Sequence, residues 1–408
     1  MTKYIGKSIK RTEDKRFITG QGKYTDDIVL ANMSYAYILR SPYANATINS
    51  IDTSAATDME GVIAVFTGRD IPEAIAGVPC GWQVDFKNGD TMKEPPHPLL
   101  VRKKVRHVGD GIALIVAESK SIAKDASELI DIDYDILDAV TDPKAAAQAG
   151  APLVHDDVPN NICFDWELGN PKDEVTAALA NAAHVTELEF VNQRVVPNAM
   201  EPRAAIGHWD SAYERYTLYT STQNPHLIRL LLCAFVLGIP EHKVRVVGPD
   251  VGGGFGSKIF HYTEEALVVY FSKILNRPIK WTADRSEAFL TDAHGRDHVT
   301  HAKMGFDGDG KIVGLQAYTY ANMGAYLSSF APAVPTYLHG TLFQGLYTTP
   351  KINVDVTATF THTNVVDAYR GAGRPETTFL LERLVDLAAL EMGMDLSLIH
   401  ISEPRDRG

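Results

Sequence analysis

Two glycine-rich stretches carry the residue types from which a ligand site can be built. The first, Gly248-Pro-Asp-Val-Gly-Gly-Gly-Phe-Gly-Ser-Lys258, has four glycines in positions 252–256. Lacking a Cβ, each can take a positive φ or let the backbone come close to a ligand; the same run also reads as a turn with no ligand. It is not a P-loop, because Ser257 separates Gly256 from Lys258 and Ile259 follows. Nor is it a complete dinucleotide fingerprint: Gly252 and Gly254 are followed by Phe255-Gly256, one residue short, and Asp284 lies 28 positions beyond Gly256. A nicotinamide-dependent dehydrogenase therefore stays as runner-up, needing parallel strands around Val247 and Thr282 with Asp284 facing a ribose. The second stretch, Asp367-Ala-Tyr-Arg-Gly-Ala-Gly-Arg-Pro-Glu376, sets Arg370 and Arg374 among small residues. Forked guanidinium donors suit an anion or a polarised oxygen, and small neighbours let it approach. The plain alternative is a surface arginine, Arg374, ion-paired with Glu376 or Glu382.

Both stretches join a strand to a helix, so the elements around them matter. The first region reads as strands at 34–40, 61–66 and 111–116, a helix at 119–129 and a strand at 130–136. Between these, residues 72–98 are polar and rich in Pro and Gly, and are expected to form a long surface excursion without regular structure. A stretch rich in Asp, Pro, Ala and Asn, 138–173, reads as a linker. The second region has strands near 184–191, 203–208 and 215–220, a helix at 224–237, a strand at 243–247, the glycine loop, and a helix at 262–275. Strands at 278–282, 298–305, 312–322 and 354–361 precede the arginine loop and a helix at 376–392. The fold class is α+β.

The 408 residues carry 39 Lys plus Arg against 51 Asp plus Glu, a net charge of −12. That balance argues against a nucleic-acid or anionic-membrane surface. The three cysteines, Cys80, Cys163 and Cys233, are too scattered for a zinc or iron–sulfur ligand set and point to a reducing compartment, with the cytoplasm as expected address. The longest apolar run, 230–239, is too short to span a membrane.

The two loops together, with Gly6-Lys-Ser, Phe17-Ile-Thr-Gly-Gln-Gly, Arg40-Ser-Pro-Tyr-Ala44, Val105-Arg-His-Val-Gly109, Met200-Glu-Pro-Arg203 and Thr222-Gln-Asn-Pro-His226 in this order, resemble one family. It is that of the molybdenum-binding large subunits of xanthine dehydrogenases and aldehyde oxidases, nearest the carbon monoxide dehydrogenase-like branch. The resemblance implies an N-terminal arm (1–19), an α/β hammerhead domain (20–137), the linker, and the first half of the molybdopterin-binding domain (174–395). It implies that Gln223 hydrogen-bonds the oxo group of molybdenum and that Gly253, Gly254, Phe255 and Gly256 lie against the cofactor. Arg370 would stand beside substrate, with Ala368, Tyr369, Gly371 and Ala372 completing that wall, and Arg370 and Ala372 also touching the cofactor. The histidines His226, His294 and His298 are expected to be ordinary hydrogen-bonded residues, because the dithiolene of the pterin holds the metal; no side chain is assigned as a metal ligand.

Departures narrow the chemistry the resemblance implies. Gly371 stands where copper-containing carbon monoxide dehydrogenases have a cysteine, so the copper route is not expected. Ile259 stands where purine-oxidising relatives have a glutamate, which favours an aldehyde or an apolar N-heterocycle. The implied activity is hydroxylation with water as oxygen donor. The implied cofactor is molybdenum–molybdopterin, as cytosine dinucleotide, with FAD and [2Fe-2S] on separate medium and small subunits in a dimer of heterotrimers. The family's glutamate base is expected in a further half, and Glu264 and Glu265 read as helix residues. Residues 396–408 match nothing in the family pattern and read as an artefactual tail of a truncated gene that packs poorly. A fragment of this kind is expected to be inactive alone, and a catalytically inactive structural fragment is the third reading.

Overall fold

The strand pattern follows from alternation and burial. In Ser34–Arg40 buried positions alternate with half-buried ones, and in Gly111–Ala117 six consecutive residues are buried, as in a strand covered on both faces. The computed structural model describes residues 4–402, with side chains to 400. Three sheets result. The largest has seven strands, in the order Val244–Val247, Arg215–Thr220, Ala204–Asp210, Ile279–Thr282, Ser34–Arg40, Gly111–Ala117 and Val62–Thr67. Ser34–Arg40 pairs parallel with Ile279–Thr282, so the first and second regions share one hydrogen-bonded sheet.

A five-stranded sheet runs Ile162–Gly169, Ile352–Phe360, Ile312–Gly324, His298–Phe306, His184–Asn192. A three-stranded sheet, Lys104–Val105, Ala46–Asp52 and Asp131–Ile136, completes the first region. Helix Arg374–Met392 buries Leu380, Leu381, Leu384 and Val385 in the core of the five-stranded sheet, with Phe164, Phe306 and Phe360. Helix Thr263–Ile274 buries Leu267, Val268 and Phe271 in the core of the seven-stranded sheet, beside Ile38, Leu218 and Trp281. The α+β class stands.

One expectation is corrected and two hold only in part. The 72–98 excursion has no named strand or helix and is mostly exposed, as expected, but it is pinned to the body at Val78, Cys80, Val84 and Met92, which are buried, the last three in the five-stranded sheet's core. Its prolines stop regular pairing without preventing burial. The 138–173 stretch is not a linker throughout, because Ile162–Gly169 is an edge strand and Val154, Val158, Cys163 and Phe164 are core residues. The tail expected to pack poorly is helical at Leu396–Ser402 and buries Ile399 in the core, while Ser397, Leu398 and His400 stay exposed; residues 403–408 lie outside the described residues.

Beneath the glycine loop a buried ion network locks the two regions together. Arg40, from the first region, reaches Glu264 at 2.6 Å and Glu287 at 2.7 Å; Arg203 reaches Glu264 at 2.8 Å and Asp292 at 2.6 Å. Burial alone would raise the Glu264 carboxyl, but Arg203 and Arg40 outweigh it and hold it well below the usual carboxylate range. The Arg203 guanidinium also lies 3.7 Å from the centre of the Tyr262 ring. Glu264 is thus a helix residue engaged in structure, as expected.

Candidate active site

The glycine loop is shaped by close backbone approach. Gly256 has φ +110°, and a Cβ there would collide with the Ala368 carbonyl; a Cβ on Gly254 would collide with the Gln223 amide. Phe255 carries a positive φ of 52° and leaves its ring about two-fifths exposed. Beneath the loop, Lys258 is buried and donates from Nζ to the Glu201 carbonyl and to Glu201 Oε2, both at 2.8 Å; Glu201 Oε2 also accepts from Gly252 N at 2.7 Å.

Gln223 precedes helix Pro225–Leu231, and its side chain turns to the glycine loop: Oε1 accepts from Gly256 N at 3.0 Å. Among the described residues its Nε2 has no partner, nor do the backbone N–H groups of Gly253, Gly254 and Phe255.

The arginine loop arrives from strand Ile352–Phe360 and meets the glycine loop at one hydrogen bond, Arg370 N to Phe255 O, 2.7 Å. It turns through Gly371, Ala372 and Gly373, all at positive φ, into helix Arg374–Met392. The Arg370 side chain is exposed and makes no hydrogen bond or ion pair with any described residue. Arg374 does not pair with Glu376 or Glu382. Its Nη1 bonds the Gly371 carbonyl at 3.2 Å, while Glu376 is taken by Arg296 and Glu382 accepts from Tyr347.

Arg296 was not singled out by sequence reasoning, yet it holds this loop. From a left-handed backbone (φ 68°) it donates to Glu376 Oε1 at 3.1 Å, to the Arg370 carbonyl at 3.1 Å and to the Tyr369 carbonyl at 3.4 Å, and lies over the Tyr369 ring. Its Arg-Asp-His surroundings carry no motif that would mark it. Asp367, quoted only as the start of the loop, is fully buried, and burial pushes its carboxyl up to about 7.

Gln223, residues 253–256 and residues 368–372 therefore form one surface, presenting N–H groups and a guanidinium with few acceptors. Such a set fits an oxygen-rich, anionic group that accepts hydrogen bonds. His294 is hydrogen-bonded to Phe289 O at 2.9 Å, and buried His298 packs edge-on to His339. The nicotinamide alternative fails on topology. Val244–Val247 and Ile279–Thr282 are separated by two strands, and Asp284 is engaged by Lys120 at 2.6 Å.

Comparison with known proteins agrees with this geometry. Residues 154–400 match the family model of the molybdopterin cofactor-binding domain, and residues 19–138 that of the aldehyde oxidase and xanthine dehydrogenase a/b hammerhead domain. The chain belongs to the molybdopterin-binding large subunits of the xanthine dehydrogenase and aldehyde oxidase family. It is 34% identical over 390 residues to the nicotine 6-hydroxylase large subunit of Paenarthrobacter nicotinovorans, covering 95% of this chain and 47% of that one. It is 31% identical over 411 residues to the carbon monoxide dehydrogenase large chain of Afipia carboxidovorans, covering 97% and 49%. The structure of quinoline 2-oxidoreductase from Pseudomonas putida 86 superposes with a TM-score of 0.92 at 34% identity, covering 98% of this chain and 50% of that one. The chain spans about half the length of these relatives. Among the described residues no helix is long and apolar enough to cross a membrane.

Proposed function

We propose that this chain is the cofactor-cradling half of a molybdenum hydroxylase large subunit that oxidises an aldehyde or an N-heterocycle. The observation that carries the reading is the meeting of the two loops at Arg370 N and Phe255 O, which sets Gln223, the free loop amides and Arg370 on one surface. Molybdenum–molybdopterin, when bound, supplies Lewis acidity and an electron sink for hydroxylation with water as oxygen donor.

In this reading Gln223 is held by Gly256 N through Oε1, which leaves its NH₂ to donate to a cofactor oxygen. The N–H groups of Gly253, Gly254 and Phe255 bind and orient the same group, and Ala372 lies against it. Arg370 stabilises negative charge developing on a substrate oxygen, a contribution that grows when water is excluded. Phe255, Tyr369 and Gly371 shape the substrate pocket, and Ile259 and Gly371 leave it without a carboxylate or a thiolate at those positions. The cofactor is assigned as the cytosine dinucleotide form. Electrons pass to a [2Fe-2S] small subunit and an FAD-binding medium subunit, in a dimer of heterotrimers. The general base is assigned to the part of the family's large subunits that this chain does not span, so the chain alone is proposed not to turn over. The cytoplasm is proposed as its compartment on the strength of three free, buried cysteines.

The test is elemental and nucleotide analysis of a longer protein carrying these residues, co-expressed with flavin and iron–sulfur subunits. About one molybdenum per chain and release of cytidine nucleotide are expected, with dye-linked oxidation of aldehydes or N-heterocycles. A fully assembled complex without molybdenum would overturn the reading.

A further inference from the structure

Three other buried carboxylates near the site are answered by an arginine: Glu264 and Asp292 by Arg203, Glu376 by Arg296. Asp367 is not. It is fully buried and, among the described residues, makes no ion pair. Instead Oδ1 accepts from Ala368 N at 2.7 Å and Oδ2 from Phe330 N at 2.9 Å, with the Ser328 hydroxyl alongside. Its own N–H donates to the His294 carbonyl at 2.8 Å. The neighbouring Ser329 carbonyl accepts from Gly81 N at 2.7 Å, and Ser329 Oγ accepts from His261 N at 3.3 Å. One carboxylate thus stands where the arginine loop, the 328–330 segment and the Cys80–Gly81 part of the first region's excursion converge. A buried carboxylate without a cation is costly, and an apolar side chain of similar size would fill the space at less expense. What an aspartyl carboxyl supplies, protonated or not, is two oxygens aimed in different directions, each meeting one backbone N–H.

We propose that Asp367 is a positioning residue for the arginine loop: its two oxygens fasten the first amide of the loop to the 328–330 segment, and so present Arg370 from a fixed base. The inference rests on the reading of this loop as the substrate wall. The groups that face Asp367 are few. From the excursion comes the Cys80 thiol, itself pushed up to about 12 by burial. His294 turns its carbonyl to Asp367 while its ring bonds Arg194 and the Phe289 carbonyl. The 328–330 segment offers an amide and a hydroxyl.

Burial holds the Asp367 carboxyl up near 7, against about 4 for a carboxylate in water. Any opening that returns Asp367 to water releases a proton between those values. Loop protection is therefore greatest at acid pH and is lost as pH rises through about 7.

The experiment is hydrogen exchange of the 408-residue chain at pH 5.5 and 8.0, corrected for intrinsic rates, with D367N and D367A. In the parent, protection of the amides at 368–372 should fall on the order of tenfold between the two pH values. In D367N that pH dependence should vanish, because the amide does not titrate. In D367A the same amides should lose on the order of tenfold or more in protection at both pH values, with strand Ile352–Phe360 unchanged. The proposal is overturned by a D367N profile that keeps the parental pH dependence, by D367A exchanging as the parent does, or by an equal loss in Ile352–Phe360. The readout needs no molybdenum. A metal-free complex with intact pH-linked protection would sink the proposed function alone, and the converse result would sink this inference alone.

Discussion

The glycine loop and the arginine loop share one backbone hydrogen bond and the close packing of Gly256 on Ala368, yet different forces hold them. The glycine loop is placed by what is missing: Gly254 packs on the Gln223 amide and Gly256 on the Ala368 carbonyl, at separations that no residue with a Cβ allows. The arginine loop is placed by what is added, a buried guanidinium from Arg296 and a buried carboxylate from Asp367, both anchoring backbone groups. At the Gly254–Gly256 turn the first arrangement has no titratable part, since the Lys258–Glu201 ion pair anchors the loop at Gly252, and that turn should be indifferent to pH and salt. The second keeps Arg370 exposed and free while its backbone is tethered from below, so its geometry depends on charge.

The contrast breaks most visibly at Arg296. Replacing it with methionine leaves Glu376 buried without its cation and should cost about 3–5 kcal/mol in urea unfolding, with E376Q in the same chain recovering over half. Next comes G256A, which combines a positive φ with a collision and should cost about 2–4 kcal/mol, equally at pH 5.5 and 8.0. A G256A penalty that changed with pH would erase the distinction between the two loops. Q223A removes the acceptor for Gly256 N and should cost about 1 kcal/mol in thermal unfolding. The smallest stability effect belongs to R370A, within about 0.5 kcal/mol because the side chain has no partner to lose. In the loaded longer protein, however, R370A should lower kcat/KM by at least about a hundredfold. Wild-type turnover from R370A would remove Arg370 from the mechanism.

Much of this was legible in the chain. Regular alternation marked strands such as Arg215–Thr220, observed with the limits read from sequence. The unusual density of glycine marked both loops, since few other residues tolerate such backbone positions. What stayed hidden depends on partners distant in sequence. Arg296 and Glu376 are 80 residues apart and meet only after the sheets have formed. Strand Ile162–Gly169 sits in a stretch whose Pro and Asn content suggested a linker, and its pairing with Ile352–Phe360 outweighs that local signal. The buried anchors of the excursion were invisible for the same reason: polar composition matches its largely exposed course, whereas Met92 and Val84 are individual anchors in a core contributed by the other region.

The parallel pairing of Ser34–Arg40 with Ile279–Thr282 has a consequence for how such a chain is made. At typical synthesis rates roughly 10–50 s separate the emergence of these two strands from the ribosome. Throughout that interval one edge of the early three-stranded piece has no neighbour, an invitation to mispairing that cells meet with chaperones. The family boundary between residues 138 and 154 is thus a boundary of descent and not of folding. A protein cut there would carry an unfinished sheet on both pieces.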